Sequence, residues 1–141
     1  MYFKGAGPVL FALLAIAFIV GTYAADYKTF LSHHYDNPKS NVGKNYCDVM
    51  MQRRGMTKPN CKPVNSMIHA PKKQIVDVCG KGGKAYKNGL RRSNKKFSVT
   101  TCKHHGGSTR EPCKYRESKT SRYIVVRCAG NYPVHFDEGI I

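Results

Sequence analysis

Histidine is the side chain that most readily exchanges protons near neutral pH, and this chain of 141 residues contains six histidines. Two of them stand out by their surroundings. His34 follows the apolar residues Phe30 and Leu31 at helical spacing, so we expect it to face whatever that helix packs against. His135 lies near the C-terminus, where Asp137 could set the tautomer and orientation of its ring. Taken alone, both patterns are weak indications of acid–base chemistry.

The N-terminal segment predicts export. Lys4 precedes an uninterrupted apolar run from Val9 to Val20, and small residues follow it up to Ala24 and Ala25. This order is typical of a secretory signal peptide, so we predict a leader over residues 1–24 and a secreted domain over residues 25–141. A membrane anchor is the alternative interpretation, but the run is shorter than the roughly 20 residues that a membrane-spanning helix needs.

The charge of the chain predicts a polyanionic partner. The chain has 24 Lys and Arg residues against 8 Asp and Glu residues, and only Lys4 of these lies in the predicted leader, so the remaining domain has a net charge of +15. Self-repulsion at this charge density opposes compaction. The excess therefore indicates a partner such as nucleic acid, a heparin-like glycan or an anionic membrane.

The cysteines predict a disulfide-bonded protein. All six follow the predicted leader, and an even number in a secreted domain indicates three disulfides. Because no two cysteines have the CxxC spacing, a zinc ribbon or a thioredoxin-type site is disfavoured. Fifteen pairings remain open at this point for Cys47, Cys61, Cys79, Cys102, Cys113 and Cys128.

The residue pattern changes from helical to strand-like along the chain. Three segments have helical spacing of apolar residues, and two later segments are β-branched and partly alternating. We therefore predict helices over Tyr27–Tyr35, Asn45–Arg54 and Lys72–Cys79, and strands over Lys96–Lys103 and Arg122–Cys128. Helices first and antiparallel strands afterwards predict an α+β domain.

Three segments carry a resemblance to a known family. The segments Phe30–Asp36, Cys61–Ser66 and Pro133–Asp137 are similar to the three active-site segments of the pancreatic ribonuclease (RNase A) superfamily. Within that superfamily the chain is most similar to the angiogenins, because it has six cysteines instead of eight and a matching Val99–Ser108 segment. The resemblance covers roughly residues 27–137, with the cysteines in register.

The resemblance implies a fold and a catalytic apparatus. It implies an RNase A-like monomer with a bent antiparallel sheet, a cleft between two lobes, no metal and no other cofactor. The implied disulfides are Cys47–Cys102, Cys61–Cys113 and Cys79–Cys128. His34 would be the general base, His135 the general acid and Lys62 the cation that stabilises charge on the phosphate, with Asp137 orienting His135. The implied activity is metal-independent endoribonuclease cleavage of RNA through a 2′,3′-cyclic phosphate.

The implied base pocket has unusual residues around it. Asn65 and Ser66 occupy the segment that reads a pyrimidine in the family, and Ser66 keeps a hydroxyl where the family has threonine. His33 replaces a phosphate-binding glutamine and Ala129 replaces a glutamate that helps to bind the downstream base, so we predict weak downstream selection. Glu138 could obstruct the pocket or repel phosphate, so we predict low turnover.

Two biological roles are open. Angiogenin-like signalling would use a cell-surface receptor and uptake into the nucleus, for which Arg53, Arg54 and the Gly80–Gly89 loop are the candidates. The alternative is a host-defence protein that disrupts microbial membranes by its charge, with catalysis incidental. A catalytically inactive binding protein is disfavoured, because both histidines and the lysine are in place.

Overall fold

The structure of the protein is a computed structural model that describes residues 26–139, so the predicted leader lies outside the described residues. It has three α-helices and five strands: α1 (residues 26–34), α2 (Tyr46–Arg53), β1 (Val64–Ile68), α3 (Lys72–Val76), β2 (Gly83–Tyr86), β3 (Leu90–His105), β4 (Lys114–Ala129) and β5 (Tyr132–Phe136). Within residues 26–139 no helix is long and apolar enough to cross a membrane.

All five strands form one antiparallel sheet in the order β1-β3-β4-β5, with β2 also paired to β3. β1 pairs with residues 99–103 of β3 and β2 with residues 90–93, so both lie on the edge of β3 that faces away from β4. A register shift between Arg92 and Lys96 separates these two parts of β3. Such a bulge bends a strand and increases its twist. The long central strands therefore support two different lobes.

The two faces of the sheet carry separate hydrophobic cores. Met67 and Ile68 are neighbours in β1, and because successive side chains of a strand point to opposite faces, each joins a different core. The first core joins α1 and α3 to β3, β4 and β5 through Phe30, Ile68, Ile75, Phe97, Val99, Ile124, Val126 and Phe136. The second joins α2 to the other face through Tyr46, Met50, Met51, Met67, Cys102 and Tyr115.

The three disulfides join Cys47 to Cys102, Cys61 to Cys113 and Cys79 to Cys128, which are the pairings that the resemblance implied. Each bridge connects residues 49 to 55 positions apart. Closing loops of this length restricts the unfolded chain and contributes about 4 kcal/mol each in the chain-entropy description.

The α+β prediction is confirmed, and the predicted helices correspond to α1, α2 and α3. The third is shorter than predicted, because a 3₁₀ turn over Asp77–Cys79 replaces its last residues. Both predicted strands are parts of the longer β3 and β4. The sequence pattern missed β1, β2 and β5, which are short; β1 also buries the polar residues Asn65 and Ser66, which removes the apolar alternation.

Candidate active site

One cleft collects the predicted catalytic side chains. It has a volume of about 300 Å³ and takes its walls from α1, from the segment that enters β1 and from β5. Its lining includes Thr29, Phe30, His33, His34, Lys62, Pro63, Val64, Val134, His135, Phe136 and Glu138. The fold thus brings His34, Lys62 and His135 together from three distant parts of the chain.

His34 is held as a proton acceptor. Its ring is buried between Phe30 and Phe136, each with its ring centroid 5.1 Å away. Nδ1 lies 2.8 Å from the backbone carbonyl oxygen of Ser66, which can only accept, so Nδ1 carries the proton and the lone pair of the neutral ring is on Nε2. Burial is the main cause that lowers the pKa of His34 to about 3; the hydrogen bond to Ser66 opposes this shift, and the charge of Lys62 adds to it. The ring is therefore neutral at neutral pH.

Lys62 is positioned by a buried amide. Its Nζ donates a 2.9 Å hydrogen bond to Oδ1 of Asn65, and burial lowers the pKa of the lysine. The same amide donates from Nδ2 to the carbonyl oxygen of His33 at 2.8 Å. Asn65 therefore ties Lys62 to the last turn of α1, a role that the sequence pattern did not indicate. Contact between Asn65 and a substrate base stays a prediction.

His135 is exposed on β5 and lines the cleft. The carboxylate of Asp137 accepts a 3.2 Å hydrogen bond from the backbone N–H of Gly139. Between these described residues there is no hydrogen bond from the His135 ring to Asp137, so the orienting role of Asp137 stays a prediction.

Glu138 is hydrogen-bonded to Ser66, one of the two residues predicted to read a pyrimidine. Its carboxylate accepts hydrogen bonds from the backbone N–H of Ser66 at 3.1 Å and from the Ser66 hydroxyl at 2.6 Å. The Ser66 hydroxyl also lies 3.1 Å from the hydroxyl of Thr101 on β3, a neighbour that the sequence analysis missed. Burial raises the pKa of Glu138, and the hydrogen bonds from Ser66 and the charge of Lys62 oppose that shift.

His33 lines the cleft beside His34, with the two ring centroids 6.0 Å apart. Burial lowers the pKa of His33, and the positive charges of Lys62 and Arg54 lower it further. At neutral pH the ring is therefore neutral, and it can offer a substrate an uncharged N–H donor.

Arg54 joins α1 to α2. Its Nη1 donates to the backbone carbonyl oxygen of Ser32 at 2.6 Å, and its Nη2 lies 3.6 Å from the carboxylate of Asp36. Asp36 is buried and also accepts a hydrogen bond from the hydroxyl of Tyr46 at the start of α2. Arg53, the other nuclear-targeting candidate, is exposed in the last turn of α2. The two arginines thus have different surroundings, which their shared sequence motif does not show.

The receptor-binding candidate Gly80–Gly89 is a structured segment. It contains β2 and a 3₁₀ turn over Lys87–Gly89. Arg91 fixes the first residues of this segment, because the Arg91 guanidinium donates to the carbonyl oxygens of Gly80 at 2.7 Å and of Gly83 at 2.8 Å.

The cleft combines three groups that suit proton transfer to and from a substrate on which negative charge develops. His34 offers an unprotonated nitrogen, His135 is a second imidazole, and Lys62 is a cation fixed beside them. Two imidazoles in one site can hold opposite protonation states, and a fixed cation stabilises developing negative charge without reorganisation. In the described part of the chain there is no group of three or more His, Cys, Asp or Glu side chains arranged to hold a metal ion.

The sequence matches known proteins over most of its length. The family model for pancreatic ribonuclease matches residues 25–137. The chain is 47% identical over 116 residues to angiogenin-2 of Bos taurus, which covers 82% of this chain and 94% of the relative. It is 45% identical over 136 residues to angiogenin of Mus musculus, covering 94% of this chain and 93% of the relative.

Solved structures show the same similarity. Green turtle egg white ribonuclease superposes with a TM-score of 0.77 at 42% identity, covering 82% of this chain and 98% of the other. Zebrafish RNase5 superposes with a TM-score of 0.75 at 38% identity, covering 84% and 98% of the two chains.

Proposed function

The chain belongs to the pancreatic ribonuclease family, and on this premise we propose that it cleaves RNA on the 3′ side of pyrimidines through a 2′,3′-cyclic phosphate, with low turnover. The family membership makes it an endoribonuclease with RNA as its substrate, related to the angiogenins. Three closed disulfides and this relationship support a secreted protein. We propose that residues 1–24 are the leader removed on export.

The proposed reaction has two proton transfers. Nε2 of His34 removes the proton from the ribose 2′-OH, and the 2′-oxygen attacks the phosphorus. The bond from phosphorus to the 5′-oxygen of the next nucleotide breaks, and His135 protonates that oxygen as it leaves. Lys62 stabilises the negative charge on the five-coordinate phosphate. Because the 2′-oxygen is the nucleophile, RNA is cut and DNA is not.

One hydrogen bond carries this proposal. The contact between Nδ1 of His34 and the carbonyl oxygen of Ser66 leaves Nε2 as the acceptor of the 2′-OH proton. Ser66 also supplies the backbone N–H and the hydroxyl that would read the pyrimidine. The residue that reads the base therefore also orients the general base, which supports cleavage next to a pyrimidine.

The test is cleavage of the dinucleotides UpA, CpA and ApA by the full mature chain. We expect cleavage of UpA and CpA well above ApA, a cyclic phosphate product and no cleavage of the 2′-deoxy analogue. His34→Ala and His135→Ala should each lower kcat/KM by about 10²–10⁴-fold. His105→Ala is the matched control, because His105 is exposed at the end of β3. Equal activity on ApA would overturn the pyrimidine assignment, and retained activity in both variants would overturn the mechanism.

Signalling with receptor binding and nuclear uptake, and binding to heparin-like glycans, are further proposals that rest on the charge and the angiogenin relationship. Bacterial killing by charge is the competing role. The double variant His34→Ala/His135→Ala separates them, because killing by charge alone survives it, whereas signalling that needs catalysis is lost.

A further inference from the structure

Arg127 on β4 lies directly opposite His135 on β5. The register of the antiparallel pair places the two residues as partners. Side chains at such positions point to the same face, with their Cβ atoms about 4.5–5.5 Å apart. Both residues are exposed. An arginine therefore stands beside the histidine that lines the cleft.

One nitrogen of the Arg127 guanidinium is held by a hydrogen bond. Its Nη2 donates a 3.3 Å hydrogen bond to the carbonyl oxygen of Asn88, and its Nη1 lies 3.5 Å from the position that a Cβ added to Gly89 would take. The turn can present that carbonyl because both residues adopt left-handed backbone conformations, with φ values of 60° and 74°. No salt bridge joins Arg127 to another residue of the described range. Since an arginine has five N–H donors, most of them are available to a ligand.

The proposed reaction indicates which part of the substrate lies next to Arg127. Under the proposed function, His135 protonates the 5′-oxygen of the departing nucleoside, so that nucleoside lies on the His135 side of the cleft. We propose that Arg127 is a specificity-determining residue that binds the base of the departing nucleoside and favours guanine. This inference rests on the proposed function and extends it to the downstream side of the cut.

The preference for guanine follows from the acceptors of the bases. Guanine presents O6 and N7 as two adjacent acceptors that match the fork of a guanidinium. Adenine presents N7 beside an amino group, which is a donor, and the pyrimidines have no such pair. Arg127 therefore selects the downstream base. Ala129, which replaces the family's glutamate, has no carboxylate that could contribute to this selection.

The test compares UpG, UpA and UpC with the wild type, Arg127→Ala and Arg127→Lys. We expect the wild type to prefer UpG, and Arg127→Ala to lower the UpG to UpC ratio of kcat/KM by about tenfold. Arg127→Lys keeps the charge and loses the fork, so it should retain general activity and lose the preference for guanine over adenine. Lys119→Ala, an exposed charge removed further along β4, is the control and should leave all ratios unchanged.

Hydrolysis of cyclic CMP separates this role from a structural one, because this substrate has no downstream base. We expect Arg127→Ala to leave its rate unchanged, whereas a merely structural role would lower the rates on all substrates together. An active wild type with equal UpG to UpC ratios before and after the substitution would overturn the role of Arg127 alone. An inactive wild type would overturn the proposed function itself.

Discussion

The carboxylate of Glu138 accepts two hydrogen bonds from Ser66, one from its backbone N–H and one from its hydroxyl. These are the two groups of Ser66 that a pyrimidine would use in the proposed function. Under the proposed function a substrate base and Glu138 would compete for the same donors, and the base would bind only after the carboxylate had moved away.

Glu138→Ala is expected to raise kcat/KM on UpA and CpA by about tenfold. The gain is smaller than the strength of two hydrogen bonds to a charged group, because water replaces the carboxylate at Ser66. Steady-state kinetics on both dinucleotides measures the gain. An unchanged kcat/KM would show that Glu138 does not limit turnover.

Glu138→Gln is the matched variant, because it tests whether the obstruction by Glu138 depends on pH. Burial raises the pKa of Glu138, so its carboxyl is protonated at a higher pH than an ordinary glutamate. Protonation weakens the acceptors that hold Ser66 and releases the pocket. We expect the activity of the wild type relative to Glu138→Gln to rise as the pH falls through the pKa of Glu138. A ratio that is constant with pH would contradict this.

The buried His34 is expected to make the folded protein less stable in acid. In the folded state burial lowers its pKa to about 3, whereas its ordinary value is 6.5. Between these values the unfolded chain binds a proton that the folded protein does not, so stability decreases as the pH falls from 6.5 towards 3. The unfolding temperature of His34→Asn should therefore depend less on pH than that of the wild type. The exposed His105→Asn is the control, and equal slopes in all three proteins would refute the assignment.

Arg54→Ala is expected to lower the free energy of unfolding by about 1–3 kcal/mol, because it removes the hydrogen bond to the Ser32 carbonyl and one of the partners of the buried Asp36. Arg53→Ala removes the same charge from an exposed position and should change it by less than about 0.5 kcal/mol. Urea unfolding of both variants makes the comparison. Equal effects would show that the contacts of Arg54 contribute nothing to stability.

RNA binding is expected to weaken steeply with salt. Of the 24 Lys and Arg residues only Lys4 lies outside residues 26–139, and this range contains all 8 Asp and Glu residues, so most of its cations have no carboxylate partner of their own. Phosphate binding by such cations releases counterions. We expect the affinity for a long RNA to fall by at least about tenfold between roughly 50 and 200 mM salt. Cyclic CMP, with a single phosphate, is the comparison and should respond much less.

Local pattern was sufficient for much of the fold. The apolar spacing around Phe30 predicts α1, and the left-handed Gly55 ends α2 where a glycine is expected. The number of disulfides follows from the cysteine count, whereas their pairing followed only from the resemblance. The identities of His34, Lys62 and His135 were likewise predicted from matched segments, because each segment has a recognisable sequence of its own.

Only the tertiary structure shows which distant residues meet. Glu138 and Ser66 are 72 positions apart, and Arg54 lies 22 positions from Ser32, so no local pattern indicates either contact. Arg127 meets His135 only through the register of β4 and β5. Spacing and side-chain type predict the local structure of a short segment. Strand register and helix docking decide which distant donors and acceptors meet, and in this protein they bring the carboxylate of Glu138 to the backbone N–H and the hydroxyl of Ser66.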